Sequence, residues 1–308
     1  MSCLVPATYH GFIERHDQSI FGRRQMGAHQ AKSVSQEFER IARARTVLFV
    51  PGDRPDRFGK AATSGADLIV LDLEDAVGPG HKDAARENVR QWRSAGGPGL
   101  VRVNDATTPW FEDDVASLKG DPCSVLAPKV TGPDQVRDLL DRLPEGSCVV
   151  PTLETAAGIL DARAICEVPG VVRVAFGNGD LSQELGVDLG DLVALAHARS
   201  AVVLASAAAG AAPPLDGVTI AVRDRKKLVE DTEHAVRLGF TGRLCIHPAQ
   251  ISVIHEVLTP TEEALAWARS VLDAATDGAT ISDRGDMIDK PILERARLVL
   301  KRAETQTA

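Results

Sequence analysis

Eight short apolar runs, each followed at once by polar or charged residues, recur at roughly even spacing and constrain the fold more than any single motif. They are TVLFV at 46–50, LIVL at 68–71, LVRV at 100–103, SVLA at 124–127, CVVPTL at 148–153, VVRVAF at 171–176, DGVTIAV at 216–222 and RLCI at 243–246. The runs are short, continuous and rich in β-branched residues, the pattern of parallel strands buried on both faces. Between them, HKDAARENVRQWRSAG, DQVRDLLDRLP and DRKKLVEDTEHAVRLG place apolar residues three and four apart and end on glycine or proline, as helices do. Eight strand–helix alternations predict a closed (β/α)8 TIM barrel over residues 45–258. An open, doubly wound sheet is the alternative, and it fits eight units less well.

What lies outside the barrel is read separately. Residues 1–44 mix charges with scattered apolar positions and are expected to form a poorly ordered N-terminal extension, although 33–44 (SVSQEFERIARA) carries a helical pattern leading into the first strand. Residues 259–308 form a C-terminal helical extension: a helix from TPTEEALAWARSVLDAA, a glycine-containing connection, and a final amphipathic helix, PILERARLVLKRA. This tail is not needed to close a barrel, so it is free to pack on its own subunit or to cover a neighbouring subunit's active site.

The chain carries 43 acids against 35 bases among 308 residues, a net charge of −8 that argues against broad nucleic-acid binding. No apolar run approaches membrane-spanning length, and the first forty-odd residues lack the apolar core of a signal peptide. Five cysteines, odd in number and mostly inside apolar runs, read as reduced core thiols of a cytoplasmic protein.

In a TIM barrel, residues just past the C-terminal strand ends meet at one mouth. That rule gathers Glu74, Asp75, Arg102, Asn104, Lys129, Glu154, Asp180 and His247. The segment LDLEDAV then raises a problem, because Asp72, Glu74 and Asp75 crowd the end of one apolar strand. Carboxylates packed this way repel one another and cost desolvation energy unless a cation sits among them.

Glu154 and Asp180 are the strongest pair. Each is the first acid after its run, on strands that would be adjacent, and a hard dication such as Mg²⁺ takes one or two protein carboxylates with water and substrate completing its shell. Each alone also fits an acid favoured at a helix start. In FGNGDL, Gly177 and Gly179 flank Asn178, so backbone N–H groups can approach and cradle a ligand carboxylate. Arg102 offers a planar fork for bidentate binding of a substrate carboxylate, or an ion pair with Glu74 or Asp75. Lys129 is either a catalytic amine or a charge balancer. Arg54, Arg57 and Lys60 in PGDRPDRFGKAA form a local basic cluster suited to phosphates, or simply a solvated helix face. His247 reads as a packing residue, and Asp289 as a cap for the last helix with Pro291 in its first turn.

The ordered set RTVLFVPGDRPDRFGKA, LDLEDAV, VRVN, APKV, ETAAGI, FGNGDL, ARS, CIHPAQI and GDMIDKP closely resembles the CitE-like (citrate lyase beta subunit-like) branch of the HpcH/HpaI aldolase and citrate lyase superfamily, over about residues 45–302. The resemblance implies a TIM barrel, trimeric or hexameric, that makes or breaks a C–C bond between a 2-oxo acid and an acyl-CoA enolate, as citryl-CoA, malyl-CoA and citramalyl-CoA lyases do. It further implies Mg²⁺ on Glu154 and Asp180, with Glu74 and Asp75 holding waters beside the metal. Arg102 is then expected on substrate oxygens, Arg54 and Lys60 towards a coenzyme A thioester, and Asp289 in a neighbouring subunit's site. Two alternatives within reach of the same motifs are a CoA-independent pyruvate-class aldolase and a citrate lyase complex subunit without activity of its own.

Overall fold

A computed structural model describes residues 28–276 and 287–304. The described chain divides into two compact units, one running through Ile254 and one beginning at His255.

The first unit is a closed barrel of eight parallel strands in sequential order, sealed where β1 pairs with β8. The strands are β1 Thr46–Pro51, β2 Leu68–Asp72, β3 Leu100–Arg102, β4 Ser124–Ala127, β5 Cys148–Leu153, β6 Ala175–Phe176, β7 Leu215–Asp216 and β8 Gly242–Cys245. Alternation sends Val47, Val70, Leu100, Leu126, Val150 and Leu244 into one interior cluster. Their neighbours Leu48, Ile69, Leu71, Val101, Val125 and Val149 are equally buried, facing the surrounding helices. Both faces are apolar, which is why the runs are continuous.

The sixth and seventh strands are shorter than the runs that mark them. The run at 216–222 contributes only its first residue, in a strand that begins at Leu215. Beyond Asp216 the backbone is drawn off the ladder by side chains. Asn178 binds both the N–H and the C=O of Val218, and Gln250 donates to the Thr219 carbonyl. On the outer face, the buried Asp216 carboxylate pairs with Arg199 from the helix Ala196–Ala209 and with Arg243 of β8.

Part of the supposed N-terminal extension is structural. The helix Ala28–Arg43 buries Val34, Phe38, Ile41 and Ala42 in the barrel's interior cluster, beside Val47 and Leu68 at the starts of their strands. It therefore closes the end opposite the acidic mouth. Burying Phe38 alone contributes roughly 1.5–3 kcal/mol. Arg173, fully buried, fixes this plug by donating to the Ile41 and Ala44 carbonyls, and to Pro213, Pro214 and Thr241. Residues 1–27 lie outside the described residues.

In the second unit the helices Glu262–Thr276 and Lys290–Glu304 pack through Ala268, Val271 and Ala296, with Arg295 over the Trp267 ring. Among the described residues no helix is long and apolar enough to cross a membrane. Burial pushes the thiols of Cys148, Cys166 and Cys245 up to about 12, so they are unreactive core groups. Cys3 lies outside the described residues.

Candidate active site

The acidic mouth begins inside β2. Asp72 is that strand's last residue, has the same parity as Val70 and so points inward, and is fully buried. It is in register with Arg102, the last residue of β3. Arg102 Nε and Nη2 donate to its two oxygens at 2.7 and 2.6 Å. Asp72 also accepts the backbone N–H groups of Glu74 and Ala76, which turns the chain sharply after the strand. Arg102 lies over the Phe49 ring. Its fork is thus occupied by Asp72 rather than open to a substrate, and only Nη1 looks onto the mouth, 2.9 Å from Glu74 Oε2 and 3.5 Å from Asp75 Oδ2. Burial opposes the guanidinium charge, but the Asp72 hydrogen bonds and charge more than reverse this.

Glu74 is buried and Asp75 exposed. Burial pushes the Glu74 carboxyl up to about 7 even though Arg102 and Lys129 pull it down. Its Oε2 makes no aligned hydrogen bond, while Oε1 accepts from Lys129 Nζ at 2.9 Å.

Glu154 and Asp180 follow two adjacent strands, since β5 pairs with β6, and lie close enough for the Asp180 charge to act on Glu154. Glu154 follows β5 immediately and is not a helix cap; the hydroxyl of Thr155 takes that role. Its Oε1 accepts the Lys129 backbone N–H at 2.7 Å. Burial pushes its carboxyl up to about 8, and the nearby Asp180 and Glu74 charges add to this. Asp180 sits in the first turn of the helix Asn178–Leu185, is partly exposed, and lies 3.6 Å from Lys129 Nζ.

The two FGNGDL positions preceding the helix interior serve this geometry in a way the motif did not suggest. A Cβ at Gly177 would lie 2.3 Å from Glu154 Oε2 and 2.4 Å from Glu154 Cβ, so glycine here makes room for the carboxylate. The Gly177 N–H is spent on the Leu153 carbonyl. Asn178 is buried with both ends of its amide on Val218. Gly179 is exposed, and its N–H lies in the helix's first turn, where donors lack intrahelical partners.

A second network holds the acidic turn from beneath. The buried Lys82 donates to the carbonyls of Leu73 and Glu74 and to Asn104 Oδ1, at 2.6, 2.8 and 2.6 Å. Asn104 in turn is fixed by Asp114, and Asp114 by Arg86. Asn104 thus supports the mouth rather than lining it. Asp72 was legible as one of three carboxylates crowding the strand end, and parity with Val70 turns it inward. Lys82 was not singled out from the sequence, although a lysine opening a helix, against the macrodipole, was a usable anomaly.

His247 is exposed and caps a short helical turn through Ala249. Arg54 and Lys60 are exposed on the segment after β1, with Arg54 paired to Asp56. In the second unit Asp289 is exposed and accepts the Ile292 N–H, capping the helix Lys290–Glu304.

Asp72, Glu74, Asp75, Glu154 and Asp180 meet three cations, Arg102, Lys129 and Lys82 below. Fully ionised, these groups carry two excess negative charges. Among the described residues no group of three or more His, Cys, Asp and Glu is arranged to hold a metal ion, so a closed zinc-type site is absent. An open pair of carboxylate donors with uncompensated charge fits a hard dication that keeps water or substrate in its shell.

Comparison with known proteins points the same way. The HpcH/HpaI aldolase/citrate lyase family model matches residues 45–248. The chain belongs to this family. A model for C–C bond lyases of the TIM-barrel fold matches residues 200–307. A citrate lyase subunit beta-like protein of Deinococcus radiodurans is 40% identical over 279 residues, covering 83% of this chain and 96% of that protein. The mitochondrial citramalyl-CoA lyase of Mus musculus is 31% identical, covering 83% and 85%. Among solved structures, Mycobacterium tuberculosis CitE in complex with magnesium, acetoacetate and coenzyme A superimposes with a TM-score of 0.76 at 34% identity, covering 85% of this chain and 99% of that one. The HpcH/HpaI match spans the whole mouth, Glu74 to Asp180, and the C–C lyase match takes in Asp289.

Proposed function

We propose that this chain is a Mg²⁺-dependent carbon–carbon lyase. It cleaves, or in reverse forms, a 3-hydroxyacyl-CoA thioester of the citramalyl-, malyl- or citryl-CoA class, giving a 2-oxo acid and an acyl-CoA. The observation that carries the reading is Glu154, a buried carboxylate beside Asp180 whose Oε1 is held by one backbone N–H and whose charge no arginine or lysine side chain among the described residues pairs directly. Glu154 and Asp180 would hold the ion. Bound there, the ion supplies Lewis-acid polarisation of the substrate's hydroxyl and carboxylate oxygens.

The chain's own residues do the rest. Arg102, pinned by Asp72, turns one edge of its guanidinium to the mouth, where it stabilises negative charge developing as the C–C bond breaks. Glu74, whose carboxyl burial pushes up to about 7 and whose Oε2 is ion-paired with Arg102 Nη1 at 2.9 Å without an aligned hydrogen bond, is placed to hold the proton leaving the substrate hydroxyl. Asp75 and Glu74 also order water beside the ion. Gly179 offers a free backbone N–H to a substrate carboxylate. Arg54 and Lys60 suit the phosphates of coenzyme A. Asp289 would protonate the acyl-CoA enolate carbon in the site of a neighbouring subunit, which requires a homo-oligomer, by resemblance a trimer or hexamer; as a helix cap on the surface it is exposed enough to do so. The substrate class draws support from the mouse relative, a citramalyl-CoA lyase, and from CitE, solved with magnesium and coenzyme A. Unreactive, unpaired core thiols support a cytoplasmic location.

Thermal unfolding with Mg²⁺, a panel of 2-oxo acids and acetyl-CoA or propionyl-CoA tests this. Ligands that bind the folded state raise the melting temperature. A rise that needs Mg²⁺, is largest for one oxo acid with a CoA thioester, and disappears in Asp180→Ala is expected. No rise with any combination would sink the reading.

A further inference from the structure

Lys129 is the one residue other than glycine with a positive φ among the described residues, at +50°. A left-handed backbone is unfavourable for any residue with a Cβ. It persists only where surrounding contacts over-determine it, and such sites cluster where function is. Here two acids and a backbone hydrogen bond hold it. The Lys129 N–H donates to Glu154 Oε1 at 2.7 Å, while its side chain returns to the same mouth. Nζ lies 2.9 Å from Glu74 Oε1 and 3.6 Å from Asp180 Oδ1. One residue therefore touches both carboxylates that would hold the cation and the acid between them and Arg102.

We propose that the Lys129 ammonium is a place-holding cation, occupying the charge niche beside Asp180 until a dication arrives and competing with that dication for the Asp180 carboxylate. The inference rests on the reading of Glu154 and Asp180 as cation ligands. It assigns the residue's two contacts different work. The backbone N–H orients Glu154 whatever the side chain is, whereas the ammonium supplies charge that must yield or be tolerated when the ion binds.

Comparison with Lys82 separates this from plain charge balance. The Lys82 ammonium directs hydrogen bonds to three fixed acceptors and is buried, so it has nowhere to go. Lys129 makes one hydrogen bond, to Glu74, stands beyond hydrogen-bond distance of Asp180, and is 30% exposed on a flexible stem. A loosely held ammonium beside a ligand carboxylate lowers the affinity of that carboxylate for any other cation, by direct occupation or by repulsion.

The test is Mg²⁺ alone, titrated calorimetrically into chelator-treated full-length wild type, Lys129→Met, Lys129→Gly and Lys129→Arg. Lys129→Met removes the charge and keeps the bulk. Lys129→Gly removes charge and backbone strain together, and carries the test where the methionine variant does not fold. At least fivefold tighter Mg²⁺ binding is expected in both neutral variants, with affinity no tighter than wild type in Lys129→Arg. Without metal, Lys129→Met should melt below wild type, and saturating Mg²⁺ should narrow that gap. Unchanged or weaker binding in the neutral variants, with wild type binding normally, overturns the place-holder. Absence of Mg²⁺ binding in wild type instead overturns the cation site itself, so the two failures are distinguishable.

Discussion

Adding a single methyl group at Gly177 should disable the cation site without changing its charge. An ideal Cβ there lies 2.3 Å from Glu154 Oε2, 2.4 Å from Glu154 Cβ and 3.0 Å from Thr152 Cγ2. Carbon contacts settle near about 3.5 Å, so Glu154 must retreat by roughly 1 Å. Its backbone cannot follow, because Leu153 is in register with Phe176 and its carbonyl accepts the Gly177 N–H. The φ of Gly177 is −100°, ordinary for alanine, so no backbone strain spreads the effect. Overpacking of this kind costs about 1–3 kcal/mol, equivalent to a melting shift of roughly 2–4 °C per kcal/mol in a chain of this size. Losing the support that orients a metal ligand costs on the order of 10–100-fold in metal affinity. Gly177→Ala should therefore fold, melt several degrees lower, and bind Mg²⁺ roughly 10–100-fold more weakly in calorimetry. A folded variant binding Mg²⁺ within threefold of wild type would refute the claim that Gly177 exists to seat Glu154.

Three more outcomes follow from the same geometry. Asp72→Asn strips Arg102 of a buried bidentate partner and should lower stability by about 3–5 kcal/mol in urea unfolding; a loss under about 1 kcal/mol would mean the pair contributes little. The metal-free protein should lose stability as pH rises. Glu154 and Glu74 bind protons more tightly folded, near 8 and 7, than at their ordinary 4.5. Their protonated forms therefore contribute fully below about 4.5, and that contribution fades up to 8, at up to about 1.4 kcal/mol per pH unit for each group. Saturating Mg²⁺ should flatten the profile, and urea midpoints at pH 5.5 and 8.5 with and without the ion would show it; a metal-free midpoint that rises with pH contradicts the burial argument. Lys82→Met should remove three buried hydrogen bonds and leave Asn104 Oδ1 without its donor, while the Leu73 and Glu74 carbonyls keep those from Asn104 Nδ2 and the Val77 N–H. The expected cost is about 1–3 kcal/mol, with Lys82→Arg failing to rescue because a planar fork does not reproduce the three directions.

The barrel was legible because burial on both strand faces writes itself as continuous apolar runs, and eight of them admit few closures. The shortened seventh strand was not, because Val218 and Thr219 leave the ladder for side chains of Asn178 and Gln250, partners distant in sequence. The plug at residues 28–43 was half legible: its period shows in 33–44, but its target is the far end of a barrel that only the closed fold creates. The position of Glu154 and Asp180 at the strand ends was legible, each being the first acid past its run. Functions within a motif were harder. FGNGDL read as a ligand cradle, whereas Gly177 clears space for Glu154 and Asn178 clamps the loop after β7. The occupation of Arg102 by Asp72 depends on strand register, which no single run encodes.

The most direct test of the central claim is release of 2-oxo acid from citramalyl-CoA, malyl-CoA and citryl-CoA by protein stripped with chelator and then resupplied with Mg²⁺, for wild type and Asp180→Asn. The account predicts cleavage of at least one thioester by wild type, abolished by stripping, restored by Mg²⁺, and absent in Asp180→Asn at every Mg²⁺ concentration. Equal cleavage with and without the ion, or full activity in Asp180→Asn, would contradict it.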